Sequence, residues 1–335
     1  MAGTSIAPHG EAAAPNASVV TVSGQRPVST LGVFDAHDHL FLDSPALAGQ
    51  AIDDVDRVTE EVREARDSGI SCIVEMTPIG LGRDPAAMRR VAEATGVAII
   101  AATGYHRDAH YPDGHWVHTA TVELLAERVV ADVSVGMHPT DWLDASRAPD
   151  PARAGAIKGG ASYHRITRGE RRRLEAIAGA AVSTGAAVLV HTEVGTAGHD
   201  IVDLLEAAGL DPTRIALAHL DRNPDPEIHA ELAARGVTLE YDTIGRTKYH
   251  PDSVVLDLIE AVSAAGHVGR IVLGLDLGMR SYYRAYDGGP GLRYLMTTFV
   301  PRLRRRMGDE ATDRMLISNP ARLYAIRNDG GASGR

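Results

Sequence analysis

Short apolar runs alternate with longer amphipathic stretches from near Val33 to near Leu275, and the alternation never loses phase. The short runs read as strands at Val33–His37, Ile70–Glu75, Val97–Ala102, Ala154–Lys158, Ala187–His191, Ile215–His219, Val237–Tyr241 and Arg270–Asp276. Between and after them, helical patterns cover Asp53–Asp67, Pro85–Thr95, Val122–Val135, Arg168–Ser183, Ala197–Ala208, Pro226–Arg235, Ser253–Ala265 and Gly291–Arg306. Gly69 and Gly96 stand where two of these helices would stop. Thr167, with Glu170 three residues on, makes a capping box for a third. A last helix is expected over Glu310–Ser318, with Asn319-Pro320 breaking it. A short strand or hairpin near Val19–Val22 precedes the first unit. Strict alternation favours a parallel sheet and eight units suffice to close it, so the fold class is α/β, a (β/α)8 TIM barrel.

Composition narrows the setting. The 335 residues suit one barrel domain over 18–328, preceded by a flexible tail at 1–17 and followed by another at 329–335. The N-terminus has neither the basic start nor the apolar segment of a signal peptide. No apolar run approaches membrane-spanning length. The single Cys72 lies inside an apolar run and permits no disulfide framework, which fits a reducing, cytoplasmic compartment. A net charge of −10 argues against general nucleic-acid binding and leaves room for a local basic pocket. The cationic run Arg302–Arg306 reads as a solvated helix end.

Chemistry gathers where the runs end. His37 and His39 are two positions apart on an apolar strand, so both imidazoles share a face, and inside a barrel that face can hold a divalent metal. An H-x-H pair alone is weak. Lys158, His191, His219 and Asp276, however, each close a later strand. Imidazole and carboxylate donors suit Zn²⁺ first, and also Mn²⁺ or Co²⁺. Lys158 has a plainer reading, a solvated lysine before the Gly159-Gly160 turn.

The ordered series H-x-H, Lys, His, His, Asp resembles the binuclear centre of the amidohydrolase superfamily, in its phosphotriesterase-like branch. Three further stretches carry the resemblance: Met76 to Arg83 after strand two, His191-Thr192-Glu193 after strand five, and His219 to Asp225 after strand six. The likeness runs from about Val19 to Ile326. It implies two divalent ions held by His37, His39, Lys158, His191, His219 and Asp276, bridged by a carboxylated Lys158 and a hydroxide. Asp276 would then bind metal and carry the hydroxide proton to the leaving group.

The loops after strands seven and eight point to the substrate. They contain Arg246, Lys248 and Tyr249, then Arg280, Tyr282 and Tyr283, and barrel enzymes often seat phosphate there. Guanidinium, ammonium and phenol donors suit a phosphate monoester. Arg246-x-Lys248-Tyr249 and Arg280-Ser281-Tyr282, with Gly288 to Gly291, resemble a phosphosugar-lactonase subgroup that opens 1,4-lactones of 5-phosphorylated pentonic acids. The resemblance implies phosphate contacts at Lys248, Arg280 and Tyr283, with Arg246 and Tyr249 beside them. The expected partner is therefore a small phosphorylated lactone, with no nucleic acid and no membrane, and a second copy in a homodimer is compatible with it. Alternatives with the same metals are a carboxylesterase, an unphosphorylated or acyl-homoserine lactonase and a phosphotriesterase. A non-catalytic metal- or anion-binding barrel is the alternative from another class. His106, His110, His115 and His118 crowd the loop after strand three, at the mouth of the site, where one of them could touch substrate; the plainer reading is exposed loop histidines, and Glu75 and Glu193 read as rim carboxylates able to support the ligands.

Overall fold

The computed structural model describes residues 17–326. The tails expected at 1–17 and 329–335 lie outside the described residues except for Ala17. A hairpin of β1 (Ser18–Thr21) and β2 (Gly24–Pro27) opens the fold. Eight parallel strands follow in sequence order: β3 (Val33–Asp38), β4 (Ile70–Glu75), β5 (Ala98–Gly104), β6 (Ala156–Ala161), β7 (Ala187–Thr192), β8 (Ile215–Ala218), β9 (Thr238–Tyr241) and β10 (Ile271–Leu273). Between them run α1 (Val55–Ser68), α2 (Pro85–Thr95), α3 (Val122–Ser134), α4 (Arg168–Thr184), α5 (Gly198–Ala207), α6 (Pro226–Ala234) and α7 (Asp252–Ala264). After β10 come α8 (Val300–Asp313) and α9 (Asn319–Tyr324). The sheet curls until its first and last strands meet, where the amides of Leu275 and Asp276 donate to the His37 carbonyl at 3.2 and 2.9 Å. Gly274 makes that meeting possible, since a Cβ there would stand 2.7 Å from the His37 nitrogen.

Local chemistry explains the helix ends. Asp54, Asp84 and Thr121 cap α1, α2 and α3 with side-chain oxygens, and Gly69 and Gly96 end the first two in left-handed conformation. The Thr167–Glu170 capping box is present at α4. The C-terminal expectation needs correction in two places. The helical segment after β10 begins at Leu295, four residues beyond Gly291, and Gly308 kinks it. Asn319-Pro320 does not end a helix: a π-helical turn, Arg314–Ser318, runs directly into α9, and Pro320 falls in the first turn of α9 just after that wider turn. The Asn319 amide also donates to the carbonyls of Val268 and Ile271, at 2.9 and 2.7 Å, and so pins α9 beneath β10.

The core has two layers. Outward-facing strand residues such as Ile73, Ile99, Val188, Leu217 and Leu239 pack against the helices. A second cluster of Phe34, Ala36, Val74, Ile100, Ala156, Leu189 and Ala216 fills the barrel, and Val19, Leu31 and Tyr324 belong to it. Cys72 is buried there as well. The long connection before β6 is anchored by a buried network. Arg83 pairs with Asp132 at 2.9 Å and Asp141 at 3.0 Å, and Thr103 donates to Asp132 at 2.7 Å. Among the described residues, no helix is long and apolar enough to cross a membrane.

Candidate metal centre

All six residues expected to hold metal meet at the C-terminal mouth of the barrel, and they reach it by different backbone routes. Lys158 and His191 project inward from β6 and β7 by simple alternation, in phase with Ala156 and Leu189. His37 does not. Phe34 and Ala36 already face the interior, so alternation would turn His37 outward. The ladder between β3 and β4 shifts register between Asp35 and Asp38, and across this irregularity His37 and His39 both face inward. His219 and Asp276 turn in through left-handed backbone, with φ of 63° and 48°, a conformation costly for residues other than glycine.

Each imidazole is oriented from behind. His37 Nδ1 and His219 Nδ1 both donate to Asp242, at 2.9 and 2.7 Å. His39 Nδ1 donates to Thr77 Oγ1 at 2.9 Å, and that hydroxyl donates to Glu75 Oε1 at 2.5 Å. His191 Nε2 donates to Glu193 at 2.8 Å, and Arg107 pairs with the same carboxylate at 2.9 Å. The remaining nitrogen of each ring then points into the mouth.

Those free atoms converge. His39 Nε2 and His37 Nε2 lie 3.2 and 3.6 Å from Asp276 Oδ1, Lys158 Nζ lies 3.1 Å from His37 Nε2, and His191 Nδ1 lies 2.8 Å from His219 Nε2. Two donors bound to one tetrahedral zinc stand roughly 3.4 Å apart, so the first group has the spacing and the donor types that a divalent ion needs. Asp242 with His37 and His219 also forms a compact trio. Asp242 sits on the Nδ1 side, away from the cleft, so it holds the rings and leaves their other nitrogens for metal.

Electrostatics suit that chemistry. Burial lowers the pKa of Lys158 against the pull of Asp276, Glu240 and Asp242, which favours the neutral amine. Burial likewise lowers His39 and His191 to about 4. At His37, burial and Lys158 push down, but Glu240 and Asp242 outweigh them and raise it to about 9. Burial would raise the pKa of Asp276, yet Arg246 and the neighbouring imidazoles hold it well below the usual carboxylate range.

The cleft above these residues offers about 220 Å³. Arg246, Lys248 and Tyr249 line one side of it, and Tyr282 joins them. Lys248 Nζ lies over the Tyr249 and Tyr282 rings, at 5.0 and 5.7 Å. Two expected contacts are not brought there. Tyr283 is fully buried and donates its hydroxyl to the His39 carbonyl at 2.7 Å, so it props the ligand strand. Arg280 is exposed outside the cleft lining and stacks over Tyr286 at 5.0 Å. His106 and His110 are not the exposed loop histidines of the plainer reading: they are buried in the cleft wall with stacked rings, at the mouth of the site. Sequence reasoning gave no role to Asp242 or to Arg222, although Arg222 lies in the His219 to Asp225 stretch. Arg222 reaches Asp276 Oδ2 at 2.7 Å, the same oxygen that Arg246 grips at 2.7 Å. Its signal was its place three residues after His219, on the rim of the same strand.

Known proteins resemble this chain in sequence and in fold. A phospho-furanose lactonase from Mycoplasmopsis agalactiae is 34% identical over 322 residues, 92% of this chain and 91% of its own length. An amidohydrolase from Mycoplasma synoviae superimposes with a TM-score of 0.89 at 33% identity, covering 94% of each chain. The phosphotriesterase homology protein of Escherichia coli, solved with phosphate in its active site, gives a TM-score of 0.79 at 30% identity, covering 88% of this chain and 98% of its own. The sequence pattern of the phosphotriesterase family matches residues 17–324. With nearly the whole described chain matched, the protein belongs to the phosphotriesterase family.

Proposed function

We propose that this protein is a metal-dependent lactonase that opens a phosphorylated sugar 1,4-lactone. One observation carries the reading: six metal-type donors converge at the barrel mouth, and five of them line the cleft that also holds the cationic, aromatic rim. The phospho-furanose lactonase relative and the phosphate-bound relative support the choice of substrate. His37, His39, Lys158, His191, His219 and Asp276 would hold two divalent ions, Zn²⁺ first, with Lys158 carboxylated. When bound, the ions supply water activation and carbonyl polarisation.

The chain's own groups perform the remaining tasks. Arg246, Lys248 and Tyr249 bind the phosphate and fix the lactone by its far end. Ring opening adds water across the ester bond: a C–O bond forms at the carbonyl carbon, the ring C–O bond breaks, and one proton must reach the alkoxide. Asp276 moves that proton. Held between Arg222 and Arg246, its carboxylate keeps a proton only in passing, which suits delivery to a far more basic alkoxide. The single buried Cys72 suits a cytoplasmic home.

The test is a pH-indicator assay of the metal-loaded enzyme on phosphorylated 1,4-lactones, their unphosphorylated counterparts and a neutral aryl ester. Acid release fastest from the phosphorylated lactones is expected. Turnover of the aryl ester with none of the phosphorylated lactones would overturn the reading.

A further inference from the structure

His106 and His110 lie across the cleft from the cationic rim, on the loop after β5. Their rings stack at 3.8 Å, and both are nearly buried. Both Nδ1 atoms are engaged. The Arg107 amide donates to His106 Nδ1 at 2.8 Å, so that nitrogen is an acceptor and the ring proton sits on Nε2. His110 Nδ1 lies 2.9 Å from Ser44 Oγ, which also accepts from the Ala46 amide; with the Ser44 hydroxyl proton turned to Nδ1, Nε2–H is again the donor. Neither Nε2 has a hydrogen-bond partner among the described residues.

The loop is held rigidly for this purpose. The His106 amide donates to the Tyr111 hydroxyl at 2.9 Å, which donates to the Ile79 carbonyl at 3.0 Å. Arg107 is anchored on Glu193. A preorganised N–H donor without charge matches an uncharged oxygen better than it matches phosphate, which the opposite wall already serves. Position names the oxygen. The His106 ring centroid lies 4.7 Å from that of His191, so the donor stands beside the place where the carbonyl reacts.

We propose that His106 and His110 read the hydroxyl groups on the two carbons that follow the lactone carbonyl, and so decide which sugar lactone is accepted. This rests on the lactonase reading above. His106 serves the hydroxyl next to the carbonyl, and His110, one ring farther from His191, serves the second.

The experiment compares each hydroxylated lactone with the analogue lacking the hydroxyl beside the carbonyl, in phosphorylated and unphosphorylated series, on metal-loaded enzyme. His106→Phe keeps the ring stack and removes the donor, while His106→Gln restores an N–H. His106→Phe should lower kcat/KM roughly ten- to hundredfold on the hydroxylated lactone and leave the deoxy lactone unchanged, with full metal content. His106→Gln should recover part of the loss. His110→Phe should behave likewise against the analogue lacking the second hydroxyl. Equal losses on both members of a pair, no loss, or a fall in metal content would overturn the proposal. A wild-type enzyme that opens only unphosphorylated lactones would refute the phosphate reading, and the unphosphorylated pair would still decide the histidines. A wild-type enzyme that opens no lactone would refute both.

Discussion

Asp242 carries more of the site than any single ligand, because two imidazoles depend on one carboxylate. Asp242→Asn should therefore weaken metal binding by more than Glu193→Gln, which loosens one ring. Losses of about ten- to hundredfold per disturbed ring are expected, read by competition with a chromophoric chelator. At the rim, Lys248→Ala should cost about ten- to hundredfold in kcat/KM on a phosphorylated lactone and leave a neutral aryl ester untouched. A third prediction concerns pH. Two carboxylates raise His37 to about 9, so the metal-free ring holds its proton below that value and an entering ion must displace it. Affinity should then rise with pH, by up to about tenfold per unit, until the ring is neutral. A pH-independent affinity between about pH 6 and 8 would contradict this. The residues legible in the sequence were those that close an apolar run, as Lys158, His191 and His219 do. Asp242 closes one too, but its partner His37 stands 205 positions away, and no local pattern joins them.

At the scale of elements, strands and helices followed from periodicity and caps, since each is decided within a dozen residues. Gly69, Gly96 and the Thr167–Glu170 box all act where they were expected. What escaped was geometry set by packing across the barrel. The register shift in β3 and the left-handed turns at His219 and Asp276 leave no mark in composition. Nor does the π-helical turn that carries the chain through Asn319-Pro320, where the sequence reads as a stop. Asn319→Ala should lower stability by about 1–3 kcal/mol in urea denaturation, because it removes two hydrogen bonds that tie α9 to the segment beneath the barrel. Arg83 ties the rim loop after β4 to α3 and the long connection that follows it. Arg83→Met would strand two buried carboxylates, and a loss of about 3–5 kcal/mol is expected in the same measurement.

For the molecule as a whole, the consequence lies at the meeting of β10 and β3. Neighbouring strands elsewhere in the barrel wall pair in parallel ladders, while here two amides share one carbonyl. His37 and His39 belong to one side of this joint, and Asp276 follows the other. An ion gripping all three would act as a clasp, fastening the ring where it is least sewn. Chelation should then do more than abolish turnover. It should quicken amide exchange at Leu275 and Asp276 far more than in the ladder between β6 and β7, so that losing the metal is felt first as a parting of the seam.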